Sequence, residues 1–209
     1  MTSLDYKLFH HRRLPHYQPP GATLFVTFRL AGSLPREAIE RLEVEARQIE
    51  AQLENMLDTP ARLQALYLAQ KQLFGKWDAE LDAWQYGPDW LIQPTIARMV
   101  CDALHYRDGK VYILEAFCVM PNHVHLMCTP RNDLDDRVYS LSKIMHSLKG
   151  FTARRANHLL GRQGDFWQHE SYDHVVRDNA EFQRIVTYVM ENPSKARLPL
   201  HWTYCRASQ

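Results

Sequence analysis

The fold is decided by residues 108–129, which read DGKVYILEAFCVMPNHVHLMCT. Asp108-Gly109 is a strong turn signal. The segment from Val111 to Met120 that follows it is rich in β-branched and aromatic residues, as strands are. Pro121-Asn122 interrupts this pattern before a second run of the same kind, from His123 to Thr129. The stretch therefore predicts two consecutive strands of one sheet.

The rest of the chain predicts helices around these strands, with one strand before them and one extended segment after them. We predict a strand over Ala22–Leu30, helical blocks over 39–57 and 63–74 that Gly75 ends, a loop with Trp77, Trp84 and Trp90, a helix from Pro94, a helix from Leu141 to near Gly161, an extended segment over Phe166–Val176, and a last helix over Asn179–Asn192 that Pro193 ends. This order predicts an α+β protein with an antiparallel sheet and helices packed on it.

The composition is that of one globular domain, or of one domain with an insertion. Of 209 residues, 45% are hydrophobic and 23% are charged, which is enough apolar material for a core. No apolar run approaches the roughly 18 residues of a membrane span, and the first residues lack the apolar stretch of a signal peptide. We therefore expect a cytoplasmic protein with no membrane contact. Its cysteines, without a Cys-x-x-Cys pair, are expected to be reduced and mostly buried: Cys101, Cys118, Cys128 and Cys205.

Charge is unevenly placed along the chain, although the net charge is only +1. From Arg36 to Ala97 there are six Lys and Arg against eleven Asp and Glu, a net charge of −5. From Arg137 to Arg197 there are ten against six, a net charge of +4. This asymmetry suggests a basic face beside an acidic appendage. The alternative is that these charges are ordinary solvated helix faces.

His123-Val124-His125 is the first candidate site. Residues two apart on a strand point to the same face, so both imidazoles leave one surface while Val124 faces the core. Two neighbouring imidazoles form a plausible half of a divalent metal site. The pattern alone leaves a structural role for both histidines open.

Tyr188 and Asn192 are the second candidate site. They are four residues apart on one predicted helix and therefore lie on one face of it. Tyr188 flanks the apolar stripe of this helix, so a packing role at the boundary is the alternative. If the two sites meet, His123, His125 and Asn192 could hold a divalent ion beside Tyr188. Magnesium prefers oxygen ligands, so the two imidazoles point equally to manganese or another transition ion.

The stretch Val119-Met-Pro-Asn-His-Val-His-Leu126 resembles the histidine-hydrophobe-histidine signature of the HUH endonucleases, in the form carried by REP-associated tyrosine transposases and related insertion-sequence transposases. Further motifs of this resemblance are Leu14-Pro-His-Tyr-Gln-Pro-Pro-Gly21, Ser147-Leu-Lys-Gly-Phe-Thr152, Phe166-Trp-Gln168, Tyr172-Asp-His-Val-Val-Arg177 and Tyr188-Val-Met-Glu-Asn-Pro-Ser-Lys195. The resemblance covers most of the chain and is least clear from Arg36 to Trp90. Several ordered motifs are more specific than any one of them.

The resemblance implies a single domain over residues 1–209 with a ferredoxin-like sheet and a helical insertion at about 36–90. It implies that His123, His125 and Asn192 are ligands of magnesium or manganese, and that Tyr188 is the nucleophile. It also implies an enzyme that cuts and rejoins single-stranded DNA near hairpins through a 5′-phosphotyrosine. Protein partners are not indicated.

Tyr172 is the rival nucleophile, on a predicted strand and without an amide ligand at helical spacing. Basic residues near the candidate site are expected to hold DNA phosphates, with Lys149 and Arg177 foremost because they lie inside family motifs. The full set is Lys149, Arg154, Arg155, Arg177, Arg184 and Lys195. Two other functions stay open: a hairpin-binding protein of the same fold without catalysis, and an unrelated metal hydrolase that uses the histidine pair without a tyrosine.

Overall fold

The computed structural model describes residues 21–54, 60–83, 85–199 and 202–207. Within these ranges, residues 34–87 form one compact unit, and residues 21–33 with 88–207 form the other. The motif predicted at residues 14–20 and the tryptophan Trp84 lie outside the described residues. The single domain over the whole chain stays a prediction.

The unit of residues 34–87 is a pair of helices, α1 (Arg36–Glu54) and α2 (Pro60–Asp82). Ion pairs join the two helices, Arg41 with Glu80 and Lys76 with Glu45. Two of the carboxylates that give this segment its negative net charge, Glu80 and Glu45, are therefore paired with basic side chains of the same unit.

Gly75 does not end a helix, and this prediction was wrong. The helix α2 continues through it to Asp82, and Trp77 lies in the helix rather than in a loop. A glycine inside a helix costs only about 1 kcal/mol relative to alanine. Leu73, Trp77 and Leu81 continue the apolar spacing of four beyond the glycine, and both leucines are buried. Burial of this stripe outweighs the local preference.

The second unit is built on a five-stranded antiparallel sheet. Its strands are β1 (Leu24–Arg29), β2 (Tyr112–Val119), β3 (His123–Pro130), β4 (Tyr172–Val175) and β5 (Cys205–Ala207). They lie in the order β4-β1-β3-β2-β5 and pair antiparallel throughout. The first four strands with the helices between them give the ferredoxin-like β-α-β-β-α-β arrangement, so the predicted fold class is confirmed.

Two helices cover one face of this sheet, α3 (Pro94–Arg107) and α4 (Leu141–Leu159), with a short 3₁₀ turn at Trp90–Ile92 before α3. Alternate residues of the central strands face these helices, because successive side chains of a strand point to opposite faces. The resulting core includes Val26, Phe28, Val124 and Leu126 from the sheet, with Ile96, Val100, Ile144 and Leu148 from the helices. Val124 faces the core as the alternation predicts.

The opposite face carries the last helix, α5 (Asn179–Lys195). The prediction that Pro193 ends this helix was wrong, because Pro193 lies inside its last turn. Proline there lacks an N–H of its own, but the next bond of the helix, from Ala196 N to Asn192 O, is made at 3.0 Å. Pro193 is also buried, which offsets the lost bond. Asn192 is therefore held within a helical turn.

Two further boundaries differ from the sequence prediction. Within the predicted extended segment only Tyr172–Val175 forms a strand, although Trp167 makes an isolated bridge to Leu30. The strand β5 was not predicted at all, since three residues are too few to show an alternating pattern. No helix among the described residues is long and apolar enough to cross a membrane.

One buried hydrogen bond ties the segment after α4 to that helix. Trp167 Nε1 donates to Thr152 Oγ1 at 2.8 Å, and Thr152 Oγ1 donates to the carbonyl of Leu148 at 2.7 Å. Thr152 is fully buried and Trp167 nearly so. The hydroxyl therefore satisfies an indole N–H that water does not reach.

We expect Thr152→Val to lower the free energy of unfolding by about 1–3 kcal/mol, because a similar shape leaves the Trp167 N–H buried without its acceptor. Chemical denaturation measures this loss. Thr187→Val is the matched control, since Thr187 is an exposed β-branched residue of α5, and it should change stability by less than about 0.5 kcal/mol. Equal effects of the two substitutions would contradict the assignment.

Candidate active site

The two histidines of β3 lie on the sheet face that α5 covers. Both side chains are 0% exposed. Their rings meet edge to face with centroids 4.6 Å apart, and the two Nε2 atoms are 3.0 Å apart. The predicted alternation thus brings both imidazoles to one point.

The other nitrogen of each imidazole contacts a polar side chain. His123 Nδ1 lies 2.7 Å from Asn122 Oδ1, and His125 Nδ1 lies 2.8 Å from Thr27 Oγ1. In this orientation of the Asn122 amide, Oδ1 only accepts hydrogen bonds, which favours a proton on His123 Nδ1. Its Nε2 therefore presents a lone pair towards His125.

Burial keeps both histidines neutral. It lowers the pKa of His123 to about 3. The pKa of His125 is also lowered, first by burial and then by the neighbouring His123. Neutral imidazole is the form that binds a metal ion.

Tyr188 of α5 packs against this pair. Its ring lies 5.4 Å from the His125 ring at an angle of 67°, and 6.2 Å from the ring of Phe25. The ammonium of Lys195 lies 5.1 Å from the centroid of the Tyr188 ring and also pairs with Glu191 at 3.2 Å. Tyr188 therefore stands between the histidine pair and a cation.

Asn192 follows one turn later on the same helix face. Its side chain is 0% exposed, and its Nδ2 lies 3.1 Å from His125 Nε2. Its Oδ1 is buried and has no hydrogen-bond partner within the described part of the chain. The two ends of an amide are interchanged by a 180° rotation. That rotation would place the oxygen where Nδ2 now lies, facing the same point as the imidazoles.

These donors fit a divalent cation. The lone pairs of two neutral imidazole nitrogens and an amide oxygen would point to one place with no proton between them. A positive charge there relieves the repulsion among these lone pairs. The set contains nitrogen and oxygen and no sulfur, which suits manganese and similar ions and also permits magnesium with waters.

Tyr172 lies farther from the histidines. It pairs with Thr27 across β4 and β1, and Thr27 pairs with His125 across β1 and β3. Tyr172 thus occupies the same sheet face, but the whole of β1 separates its strand from β3. Tyr188 makes a direct ring contact with His125.

The predicted DNA-binding residues lie on several elements. Lys149 is partly buried, and its ammonium donates to the carbonyl of His169 at 2.8 Å and to Ser171 Oγ at 3.1 Å. Burial lowers the pKa of Lys149 to about 8. The other five are exposed: Arg154 and Arg155 on α4, Arg177 just before α5, and Arg184 and Lys195 on α5.

Sequence reasoning missed three residues around the histidines. Asn122 and Thr27 contact the imidazoles directly, and Arg29 pairs with His123 across β1 and β3. Burial lowers the pKa of Arg29 to about 10, while the carboxylate of Glu170 opposes this shift. The alternation of β1 places Thr27 and Arg29 on one face, but no local pattern indicates that this strand lies beside β3.

The buried histidines predict a loss of stability in acid. The unfolded chain binds a proton at the His123 imidazole below about pH 6.5, whereas the folded chain does so only near pH 3. The free energy of unfolding should therefore fall as the pH drops through this window, by up to about 1.4 kcal/mol per pH unit for one such histidine. Denaturation in a chelating buffer at several pH values measures the slope. His123→Gln should flatten it, whereas His158→Gln, which changes an exposed histidine of α4, should not.

One family model and one solved structure are similar to parts of this chain. Residues 95–192, which run from α3 through β2, β3, α4 and β4 to most of α5, match the family model described as "Transposase IS200 like". A solved structure of a REP-associated tyrosine transposase bound to a REP hairpin is 18% identical, covers 90% of this chain and 73% of its own, and gives a TM-score of 0.47. The search of curated proteins found no match. The matched segment contains both histidines, Tyr188 and Asn192, and this part of the chain is similar to the IS200-like transposases.

Proposed function

We propose that this protein is a metal-dependent endonuclease and strand transferase for single-stranded DNA, acting near hairpins with Tyr188 as its nucleophile. The observation that carries the proposal is the meeting of three buried donors beside a tyrosine. His123 and His125 turn their Nε2 atoms to one point, and the amide of Asn192 reaches the same point from α5.

His123, His125 and Asn192 would hold a divalent ion, magnesium or manganese. When bound, such an ion would polarise a phosphodiester and favour attack at phosphorus. The orphaned Oδ1 of Asn192 supports this ligand set, because a buried amide oxygen without a partner costs about 1–3 kcal/mol.

Tyr188 would perform the covalent step. As its phenolic oxygen forms a bond to phosphorus, the phenolic proton leaves and the bond from phosphorus to the 3′ oxygen breaks. The 3′ oxygen takes up a proton, and the 5′ phosphate remains on the tyrosine. Because one phosphoester replaces another, the reverse reaction rejoins a strand without ATP. A free tyrosine has a pKa near 10, and the ammonium of Lys195 beside the ring would favour its phenolate.

DNA is the substrate class of a transposase, and we propose single-stranded or hairpin DNA as the form bound here. Arg177, Arg184 and Lys195 flank or belong to α5 and are exposed, so they are available to phosphates on the side of the sheet that carries Tyr188. Lys149 is already bonded to two protein oxygens. In DNA binding, the third N–H of its ammonium would contact a phosphate, while the other two would keep residues 169–171 in place.

Tyr188→Phe tests the proposal most directly. It removes one oxygen and little packing, so the fold and the affinity for DNA hairpins should be retained while strand cleavage is lost. Wild-type protein incubated with hairpin DNA and manganese should form a covalent adduct that resists detergent, and peptide mapping should place it on Tyr188. Tyr172→Phe is the matched control and should cleave as the wild type does.

An adduct on Tyr172 would move the nucleophile to β4. If the wild type forms no adduct with any hairpin from the DNA beside its gene, and still binds these hairpins, the protein is a binding protein of this fold. If the wild type cleaves DNA without forming an adduct, and Tyr188→Phe still cleaves it, the protein is a metal hydrolase that does not use this tyrosine.

The phosphate contacts are tested by salt dependence. For Lys149→Ala and Arg177→Ala, we expect weaker binding of single-stranded hairpins and a slope of log K against log salt that is shallower by about 0.7 per lost contact. Fluorescence anisotropy over a salt series measures both. Arg36→Ala changes an exposed arginine of α1 and should leave the slope unaltered. Unaltered slopes in both test variants would remove these residues from the interface.

A further inference from the structure

We propose that Thr27 positions the candidate ligand His125, holding its proton on Nδ1 so that Nε2 faces the metal site. This inference rests on the proposed function, because it concerns the same metal site. Thr27 was not predicted as a site residue, and nothing in the local sequence of β1 distinguishes it from other strand residues. It lies 98 residues from His125 in the chain.

The position of Thr27 is fixed by the register of the sheet. Thr27 and His125 are direct partners across β1 and β3, and directly opposite side chains on neighbouring strands lie on the same face. Thr27 Oγ1 lies 2.8 Å from His125 Nδ1. Thr27 is only 5% exposed and His125 is 0% exposed, so bulk water is kept from this contact.

The hydroxyl matters because a neutral imidazole carries one proton, which either ring nitrogen can hold. On one side, Thr27 Oγ1 accepts from Nδ1. On the other, His123 Nε2 presents a lone pair 3.0 Å from His125 Nε2. A proton on His125 Nε2 would bond the two imidazoles to each other and occupy both ligand nitrogens. Thr27 therefore stabilises the arrangement in which His125 Nε2 carries no proton.

His123 offers an internal comparison. Its Nδ1 contacts Asn122 Oδ1 at 2.7 Å, and an amide oxygen enforces the Nδ1 proton without help from another strand. The two histidines are thus oriented differently, one by its neighbour in the turn and the other by a hydroxyl from β1. Partners of this kind on metal-binding histidines typically change metal affinity 10- to 100-fold.

Thr27→Val tests this role, because valine keeps the branched shape and removes the oxygen. In metal-free protein, nitrogen-detected NMR of the imidazoles should show the Nδ1–H tautomer for both histidines of the wild type. In Thr27→Val, His125 should move towards Nε2–H while His123 stays unchanged. Calorimetric titration with manganese alone should show affinity reduced by about 10-fold or more. Thr27→Ser, which restores the hydroxyl, should recover both the tautomer and the affinity.

Thr23→Val is the matched control. Thr23 bonds through its hydroxyl to Thr129 at 2.8 Å and lies near the start of the same strand, so its loss tests the effect of removing any such hydroxyl. It should leave the tautomers and the manganese affinity unaltered. A merely structural role for Thr27 would lower the unfolding midpoint without changing the His125 tautomer.

Retention of the Nδ1–H tautomer and of wild-type affinity in Thr27→Val would overturn the inference, as would an Nε2–H tautomer of His125 in the wild type. The tautomer of His125 in the wild type is measured without the variant, so this measurement tests the inference even if Thr27→Val does not fold. Failure of the metal site itself is recognised separately. If the proposed metal site is wrong, the wild type and His125→Ala will bind manganese equally. The tautomer measurement on metal-free protein would still decide the role of Thr27.

Discussion

Two neutral imidazoles buried with their Nε2 atoms 3.0 Å apart are the constraint on which the rest of the site depends. Burial removes the water that would otherwise solvate a charged imidazole, so both rings stay neutral. A buried polar group needs a partner. The partners come from three different parts of the chain: the turn before β3, the strand β1 and the helix α5.

The helix α5 is fixed at its start as well as at the site. Asp178 caps it by accepting from the backbone N of Glu181 at 2.7 Å. The carboxylate of Glu181 accepts from Arg177 N at 2.9 Å and lies 3.1 Å from His174 Nε2 on β4. Near the other end, Asn192 contacts His125 on β3. Tyr188 lies between the attachment of α5 to β4 and its attachment to β3. These two contacts fix the part of the helix that packs the Tyr188 ring against His125.

The acidic helical unit and the α/β unit follow from different physical signals. The helices α1 and α2 show a continuous apolar spacing, which predicted their existence but not where α2 ends, because burial of its stripe overrides the cost of Gly75. The strands β2 and β3 were predicted closely, since runs rich in β-branched and aromatic residues and bounded by turn residues are typical of strands. The end of α5 was predicted wrongly because the effect of a proline depends on its position in a helix, and Pro193 lies in the last turn.

The residue types of the site and two local placements follow from the amino-acid sequence alone. Strand alternation puts His123 and His125 on one face of β3, and helical spacing puts Tyr188 and Asn192 on one face of α5. That these two faces meet depends on the tertiary fold. Thr27 reaches His125 across 98 residues and Asn192 reaches it across 67. Periodicity describes neighbours within one element, whereas the order β4-β1-β3-β2-β5 and the placement of α5 come from burying all the apolar faces at once.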